Sequence, residues 1–290
     1  MANPRKAVPE NVPGDFFVDT TCIDCDTCRQ IDPETFGETD DFSFVQDQPR
    51  GEERTRLALR ALVCCPTGSI GTRGRNRAGD VLGDFPLRIE DEVYYSGFNS
   101  AKSFGGNSYF VQRNDGNWLI DSPKFVTPLV QQLESMGGIA HIFLTHRDDV
   151  ADAEQFAKHF GAKRYIHRRE LSSQPGAEVV LDSEDAVELA PGFRAIVTPG
   201  HTSGHCVLLL EDRYLFTGDH LSWDRHAKRL DAHRDYNWFS WPKQIESMRR
   251  LTEYSFERVL PGHGQRVQLE SSEMYRQMLD LVRRMEHEPR

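Results

Sequence analysis

The chain has 290 residues, a formal net charge of −10 and 38% hydrophobic residues. This length suits one large domain or two smaller ones, and the negative charge argues against nucleic acid or an anionic membrane surface as the main partner. No apolar run approaches the roughly 18 residues of a membrane span, and the first ten residues, MANPRKAVPE, lack the apolar centre of a secretory signal. We therefore expect a cytoplasmic protein without membrane association, whose cysteines are reduced or bound to metal.

Five of the six cysteines precede residue 66, in the segments CIDCDTC and CCPTGSI. The spacing C-x2-C-x2-C wraps one short loop around a single point, and a Cys-Pro pair elsewhere is the usual source of a fourth thiolate in [4Fe–4S] proteins. Because Cys65 precedes Pro66, we favour Cys65 over Cys64 as that ligand, with Cys64 as a small buried neighbour. The predicted cluster ligands are Cys22, Cys25, Cys28 and Cys65. A structural zinc site is the alternative, although a zinc ribbon would use two separated C-x2-C pairs.

The segments CIDCDTCRQIDPETF and ALVCCPTGSIG resemble the two halves of a single-cluster ferredoxin. Between them, DDFSFVQDQ predicts a short strand, and EERTRLALRALV has apolar residues at helical spacing. The resemblance covers roughly residues 14–72. We therefore predict a ferredoxin-like iron–sulfur domain over residues 1–72.

The predicted ferredoxin domain is acidic. Twelve Asp or Glu residues lie between Asp15 and Glu53, against only Arg29 and Arg50. This charge either serves solubility or forms a docking face for a basic electron-donor protein, because complementary charge speeds encounter. The Gly- and Arg-rich residues 73–85 that follow are typical of an inter-domain linker.

Alternating strands and helices are predicted from Pro86 onward. SYFVQ and NWLID flank an Asn-Asp-Gly turn and predict a hairpin. TPLVQQLESMG predicts a helix, IAHIFLTH an apolar strand, and further strands are predicted in KRYIH, FRAIVTPGH, CVLLLED and YLFTGDH. Several of these strands end in His or Asp residues, which are ligands for zinc, iron or manganese.

This order resembles the metallo-β-lactamase superfamily, an αββα sandwich with metals at one edge of its sheets, over roughly residues 86–265. The residues that carry the likeness are Asp121 in LIDSP, His146 in THRDDVAD, His201 in TPGHTSGH, Asp219 in FTGDH and His263 in LPGHG. We predict this domain over residues 86–290. The expected fold class is α+β, an N-terminal ferredoxin-like domain followed by an αββα metallo-β-lactamase sandwich.

The turn after His146 departs from the family pattern T-H-x-H-x-D-H. Asp148 stands where the second His is expected and Ala151 where the last is expected. A His-x-carboxylate variant occurs in the related flavodiiron proteins, where the metals are iron. The resemblance therefore implies one complete site formed by His146, Asp148, His201 and Asp219. A weaker second site would combine Asp219 and His263 with Asp149 or Asp152.

Asp148 and Asp149 also have a structural interpretation. Val150, Ala153 and Phe156 recur at helical spacing, so either carboxylate could cap a helix that begins near Val150. Structural roles are also expected for His205 and His220, and a core position for Cys206.

Aromatic and basic residues are concentrated in LSWDRHAKRLDAHRDYNWFSW, which follows the Asp219 loop. The combination suits an anionic or conjugated ligand, although aromatic side chains packed on the core are the alternative. His226 or His233 in this segment are further candidates to replace the missing histidine.

Three functions remain open from the sequence. In the first, the ferredoxin domain passes electrons to a non-haem metal, preferably iron, in the lactamase-like domain of an oxidoreductase. In the second, a metallo-hydrolase acts on a thioester, lactone or phosphoester, with Asp149 orienting the nucleophile and with a structural or sensing cluster. The third is a non-catalytic electron-transfer or assembly protein. The expected cofactors are one [4Fe–4S] cluster and one or two Fe or Zn ions, and the expected partners are a small-molecule substrate and an electron donor.

Overall fold

The computed structural model describes residues 2–75 and 77–287. Position 76 of the predicted linker and positions 288–290 of the predicted second domain lie outside the described residues. The chain divides into two compact units, Met1–Ala140 and His141–Arg290. The domain boundaries expected at residues 72 and 86 stay a prediction.

The first unit contains eight strands and three α-helices within its described residues. The strands are β1 Phe16–Val18, β2 Phe36–Glu38, β3 Ser43–Val45, β4 Ile70–Thr72, β5 Leu87–Glu90, β6 Val93–Tyr95, β7 Tyr109–Val111 and β8 Trp118–Ile120. The helices are α1 Thr27–Ile31, α2 Gly51–Cys64 and α3 Thr127–Ser135. β1 pairs with β4, β2 pairs with β3, and β5 to β8 form an antiparallel meander. The pairs Tyr109 with Ile120 and Val111 with Trp118 confirm the hairpin expected around the Asn-Asp-Gly turn.

One apolar core holds the N-terminal part of this unit together. Ala58, Leu59 and Ala61 of α2 are buried there with side chains of β1 to β4. Val81 belongs to the same core, in a 3-10 helix over Ala78–Asp84. Asp84 pairs with Arg56 and with Arg60 of α2. Residues 78–84 of the predicted linker are therefore packed, because they supply an apolar side chain and a partner for two arginines.

The second unit contains eleven strands and three α-helices within its described residues. The strands are β9 His141–Phe143, β10 Lys163–His167, β11 Val179–Leu181, β12 Val187–Ala190, β13 Phe193–Val197, β14 Cys206–Leu210, β15 Tyr214–Gly218, β16 Ser222–Asp224, β17 Arg229–Asp231, β18 Arg258–Pro261 and β19 Val267–Gln268. The helices are α4 Ala153–Phe160, α5 Trp241–Leu251 and α6 Ser271–His287. β9, β10 and β11 are parallel, and a six-stranded sheet has the order β12-β13-β14-β15-β18-β19.

Strand direction brings four loops of this unit to one sheet edge. β13 and β15 are both antiparallel to β14, and β15 is parallel to β18, so β13, β15 and β18 end on the same side. The loops after them carry His201, Asp219 and His263. The amide of Cys206, at the start of β14, donates to the carbonyl of Thr145 over 2.9 Å, which brings the loop carrying His146 to the same edge.

The altered turn is followed by a helix that begins later than its apolar pattern predicts. Arg147–Asp149 form a 3-10 turn, Ala151 has φ of +30°, and α4 begins at Ala153. The expected helix start near Val150 is therefore wrong, because a residue with positive φ interrupts an α-helix. Asp152 occupies the N-cap position instead of Asp148 or Asp149.

No helix within residues 2–75 and 77–287 combines the length and the apolar character needed to cross a bilayer.

Candidate metal centre and cysteine pocket

Two imidazoles and two carboxylates converge where the four loops of the second unit meet. His146 Nε2 lies 3.9 Å from Asp148 Oδ2 and 3.6 Å from Asp219 Oδ2. His201 Nε2 lies 3.6 Å from Asp148 Oδ2 and 3.7 Å from Asp219 Oδ2. Both imidazoles are buried. His146, Asp148 and His201 thus form one donor group, whereas Asp219, although close to both imidazoles, belongs to a second group.

These separations fit one metal ion. They exceed ordinary hydrogen-bond lengths, so the groups face one another without being bonded. Donors placed about 2.1 Å from a tetrahedral zinc lie about 3.4 Å apart, which is close to the distance of each carboxylate from the two imidazoles. Asp148 directs its carboxylate toward the two imidazoles, as a ligand would and a helix cap would not.

A second group of donors shares His146 and includes Asp149 and Asp219, with ligand atoms within 4.8 Å of one another. Asp149 is 1% exposed. A β-carbon at Gly262 would lie 2.6 Å from Asp149 Oδ2 and 2.7 Å from Asp219 Oδ1. His263 Nδ1 lies 2.8 Å from Asp219 Oδ1. The glycine preceding His263 therefore leaves the space in which these two carboxylates approach each other.

The ring of His146 is held from its far side. Its Nδ1 lies 2.9 Å from Thr145 Oγ1, which leaves Nε2 directed at the carboxylates. The ring centroids of His146 and His201 are 4.8 Å apart, nearly perpendicular. Such partners fix the orientation of a ligating imidazole.

Two further buried histidines lie next to the ligand set. The ring of His205 is 5.1 Å from that of His146 and stacks on that of His220 at 4.9 Å. Burial lowers the pKa of His205 well below its usual value and that of His220 to about 3. Both rings are neutral at physiological pH, so they add no positive charge beside the candidate site.

The two carboxylates are held in their charged form. The neighbouring His201 ring lowers the pKa of Asp148 in spite of its partial burial. Burial raises the pKa of Asp219, but the neighbouring His263 and His146 rings outweigh it and hold the pKa well below the usual value. The donor set is therefore anionic at neutral pH, as a cation site requires.

The other sequence candidates lie elsewhere in the fold. Asp152, His226 and His233 belong to neither donor group formed by the described residues. His141 Nδ1 contacts the Tyr165 hydroxyl at 3.0 Å. Asp121 is buried just after β8, with φ of +54°.

Two residues that hold the loop carrying His201 have no recognisable signal in the sequence. Glu170 is fully buried, and its Oε1 accepts the Gly204 amide in the His201–His205 loop over 2.6 Å. The Trp238 amide donates to the carbonyl of His201 over 3.0 Å, and the two rings lie 6.2 Å apart. The aromatic segment is evident from its composition, but its spacing does not distinguish Trp238 from the other aromatic residues.

A separate cavity in the first unit is lined by all four cysteines expected to bind a cluster. Cys22, Cys25, Cys28 and Cys65 surround it together with Pro66 and neighbouring residues. Among the described residues, Cys64 is not part of this lining and is fully buried at the end of α2. Four thiols around one cavity fit the ligand requirement of a [4Fe–4S] cluster.

Hydrogen bonds reach two of these sulfurs. The Ser69 amide donates to Cys65 Sγ over 3.2 Å, and the Thr27 hydroxyl lies 3.3 Å from Cys25 Sγ. Burial raises the pKa of the Cys25 thiol to about 11 and that of the Cys28 thiol well above its usual value. In the absence of a cluster both thiols are therefore protonated, and binding of iron has to displace those protons.

Part of the acidic charge of this region is neutralised internally. The buried Arg29 guanidinium contacts Asp24 at 2.6 Å, Asp26 at 2.7 Å and Glu38 at 3.0 Å. Burial opposes the charge of Arg29, but these carboxylates outweigh it and raise its pKa. An electron-donor face would therefore depend on other acidic residues than these three.

Comparison with known proteins covers both parts of the chain. Residues 18–72 match the 4Fe-4S single cluster domain of ferredoxin I, and residues 86–282 match the metallo-beta-lactamase superfamily. A lactamase-like protein of Pestalotiopsis microspora is 29% identical over 191 residues, covering 62% of this chain and 56% of its own. Lactamase-like protein adaB of Aspergillus niger is 26% identical over 175 residues, covering 57% and 51%. The chain spans about half the length of these curated relatives.

A metallo-beta-lactamase family protein of Thermus thermophilus has a solved structure with a TM-score of 0.51 and 17% identity, covering 69% of this chain and 81% of that one. This likeness concerns the fold. The expected fold class is confirmed, and the matched families indicate a [4Fe–4S] cluster together with a fold that binds one or two metal ions. The chain belongs to the metallo-β-lactamase superfamily, and a single-cluster ferredoxin domain precedes its lactamase domain.

Proposed function

We propose that the protein is a redox enzyme whose cluster, held by Cys22, Cys25, Cys28 and Cys65, supplies single electrons to an iron ion in the lactamase domain. The iron ligands in this proposal are His146, Asp148, His201 and Asp219. The observation that carries it is the convergence of two imidazoles and two carboxylates in a chain that also contains a cluster domain. Hydrolysis requires no electrons, whereas a redox reaction uses a fused carrier directly.

The ligand chemistry favours iron over zinc. Asp148 replaces an imidazole by a harder, anionic ligand, and sites of two histidines with carboxylate are typical of non-haem iron. Two carboxylates also stabilise the higher charge of the oxidised ion. An iron ion there would supply a one-electron change of oxidation state and a coordination position for the substrate, and the cluster would supply the electron.

The surrounding residues would orient the ligands and handle protons. Thr145 fixes the orientation of the His146 ring, and His205 and His220 are neutral and add no positive charge beside the site. Asp149 is buried within the second donor group, beside Asp219. We assign Asp149 the role of accepting or returning a proton during the reaction.

The substrate in this proposal is a small molecule with an aromatic or conjugated part. Tyr236, Trp238 and Phe239 are all more than half exposed, which is unusual for three large side chains so close in sequence. Trp238 lies against His201, so a planar group stacked on it would be next to the candidate site. Exposed aromatic rings of this kind bind other planar groups by stacking.

Hydrolysis of a thioester, lactone or phosphoester is the second candidate. It is favoured by the donor group of His146, Asp149 and Asp219, with His263 against Asp219, which offers a position for a second ion. Two ions about 3.5–4 Å apart are typical of hydrolytic centres. Asp149 would then be a ligand or would orient the nucleophile. The curated relatives, whose names describe them as lactamase-like, are consistent with this candidate.

Metal and sulfide analysis of the anaerobically purified protein tests the proposal. A [4Fe–4S] cluster contains equal iron and sulfide, so we expect iron in excess of sulfide. The excess should be lost in His201→Ala while sulfide is retained, and reducing the cluster should change the EPR signal of the excess iron. Stoichiometric zinc without excess iron would favour hydrolysis. Absence of any metal beyond the cluster would contradict both enzymatic functions and support a non-catalytic electron-transfer or assembly role.

A further inference from the structure

A chain of buried hydrogen bonds within the first unit connects residues of the lactamase domain to one cluster sulfur. The Tyr95 hydroxyl donates to Asn99 Oδ1 over 2.5 Å. Asn99 Nδ2 lies 3.3 Å from Thr27 Oγ1, and Thr27 Oγ1 lies 3.3 Å from Cys25 Sγ. Tyr95, Asn99 and Thr27 are each 1% exposed, so water does not compete for these bonds.

The acceptors around the Thr27 hydroxyl determine the direction of its proton. The hydroxyl has one proton and two neighbouring acceptors, Cys25 Sγ at 3.3 Å and the carbonyl of Gly105 at 3.4 Å. Asn99 Nδ2 donates to the Gly105 carbonyl over the shorter distance of 2.7 Å, and its second proton is shared between Asn107 Oδ1 at 3.2 Å and Thr27 Oγ1 at 3.3 Å. Asn99 thus occupies one of the two acceptor positions of the Gly105 carbonyl. The remaining contact of 3.4 Å is long for a bond from a hydroxyl to an oxygen, whereas 3.3 Å is ordinary for a bond to sulfur, so the Thr27 proton is directed to Cys25 Sγ. A thiolate bound to iron accepts hydrogen bonds but donates none.

The backbone of the lactamase domain also contacts the cysteine loops at this point. A β-carbon on Gly105 would lie 2.9 Å from Cys25 Sγ and 3.1 Å from Pro66 Cγ. Lys124 Nζ donates to the carbonyl of Pro66 over 2.7 Å. Both cysteine loops are therefore held by residues outside the segment that matches ferredoxin.

We infer that Asn99 is a positioning residue that directs the Thr27 hydroxyl proton to Cys25 Sγ and thereby raises the reduction potential of the bound cluster. Hydrogen bonds to cluster sulfurs help to set the potential, and they stabilise the reduced cluster because it carries more negative charge. The inference rests on the cluster part of the proposed function and does not depend on the iron site. It means that the lactamase domain helps to set the potential of the cluster.

Redox titration of the full-length protein, followed by the EPR signal of the reduced cluster, tests this inference. We expect Thr27→Val and Asn99→Ala to lower the ratio of reduced to oxidised cluster at a fixed potential by about threefold to tenfold, a shift of about 30–60 mV for one electron. The double variant should shift no further than Thr27→Val alone, because both changes remove one hydrogen bond. Tyr95→Phe should give a smaller shift in the same direction.

Asn117→Ala is the matched control. Asn117 is a buried asparagine of the same unit whose amide donates to the carbonyls of Met136 and Gly138 at 3.0 and 2.8 Å. It should leave the potential unchanged. The same shifts should appear in a His201→Ala background, so failure of the iron proposal would leave them intact.

A shift in Thr27→Val without one in Asn99→Ala would overturn the role of Asn99. An equal shift in Asn117→Ala would show a general effect of lost packing and would also overturn it. If Asn99→Ala retains no cluster, the potentials of Thr27→Val and Tyr95→Phe test the inference instead. A lower reduction potential in both variants supports it, and an unchanged potential in both contradicts it.

Discussion

The cysteine pocket and the histidine–aspartate centre differ in the charge of their candidate ligands before metal binds. Three of the pocket's candidate ligands lie within seven residues, Cys22 to Cys28, and burial keeps the thiols of Cys25 and Cys28 protonated in the absence of iron. The candidate ligands of the centre come from loops between His146 and Asp219, where charged carboxylates already face imidazoles. Cys25 and Cys28 therefore become charged only when iron binds, whereas the carboxylates of the centre are already charged before metal binds.

We expect the largest effect from replacing one candidate cluster ligand of the pocket. Cys65→Ser should abolish most of the broad visible absorbance of the cluster, because Cys65 lines the cavity. Cys64→Ser is the matched control and should largely keep the absorbance, since Cys64 is buried away from the lining. The reverse result would identify Cys64 as the ligand.

Replacing Asp148 should change the metal content of the histidine–aspartate centre and leave the cluster in the cysteine pocket unchanged. We expect Asp148→Ala to weaken binding of the non-cluster metal by about 10-fold or more, which is the scale found even for residues outside the ligand shell. Asp148→His should raise the zinc content at the expense of iron, because imidazole is a softer ligand than carboxylate. Metal analysis and sulfide content measure both effects. Unchanged metal content in Asp148→Ala would exclude Asp148 as a ligand.

A steric change beside the pocket should have an intermediate effect. A β-carbon at Gly105, where φ is +90°, would lie 2.7 Å from Cys25 Cβ. Gly105→Ala should therefore lower cluster occupancy and reduce the free energy of unfolding by about 1–3 kcal/mol through overpacking. Gly51→Ala is the control, since φ is +77° there but nothing lies within 4 Å of the added carbon. Equal losses in both variants would attribute the effect to backbone strain alone.

We expect the smallest effect in the pH dependence of the free energy of unfolding of the cluster-free protein. The Cys25 pKa is raised from 9.0 to about 11 by burial, so its contribution to stability is fully present below pH 9 and is lost as the pH rises toward 11. Each such thiol lowers the free energy of unfolding in this range by up to about 1.4 kcal/mol per pH unit, and Cys28, whose pKa burial also raises, adds to the contribution of Cys25. Urea unfolding at several pH values measures it, and Cys25→Ala should flatten the slope. The cluster-bound protein should lack this dependence, because its thiolates are bound to iron.

The sequence was sufficient for features that depend on local spacing. The cysteine spacing and the Cys65-Pro66 pair predicted a cluster domain, which the family match confirms, and the strand-end motifs predicted the lactamase fold. The hairpin of β7 and β8 followed from alternating apolar residues around a turn, because those periods report local backbone geometry. His146, Asp148 and His201 also lie in one donor group, with Asp219 near both imidazoles, because their loops meet at one sheet edge.

Only the tertiary structure decided features that depend on contacts between distant residues. The apolar period placed the helix start near Val150, but positive φ at Ala151 delays it to Ala153. The Asn99–Thr27–Cys25 chain and the contact of Trp238 with His201 join residues far apart in sequence, which no local pattern encodes. The sequence by itself determined which chemical groups are available, because ligand types and strand periods are local properties. The fold decided which groups face one another, because a hydrogen bond or a metal site requires donors within a few ångströms, and only packing brings remote loops that close.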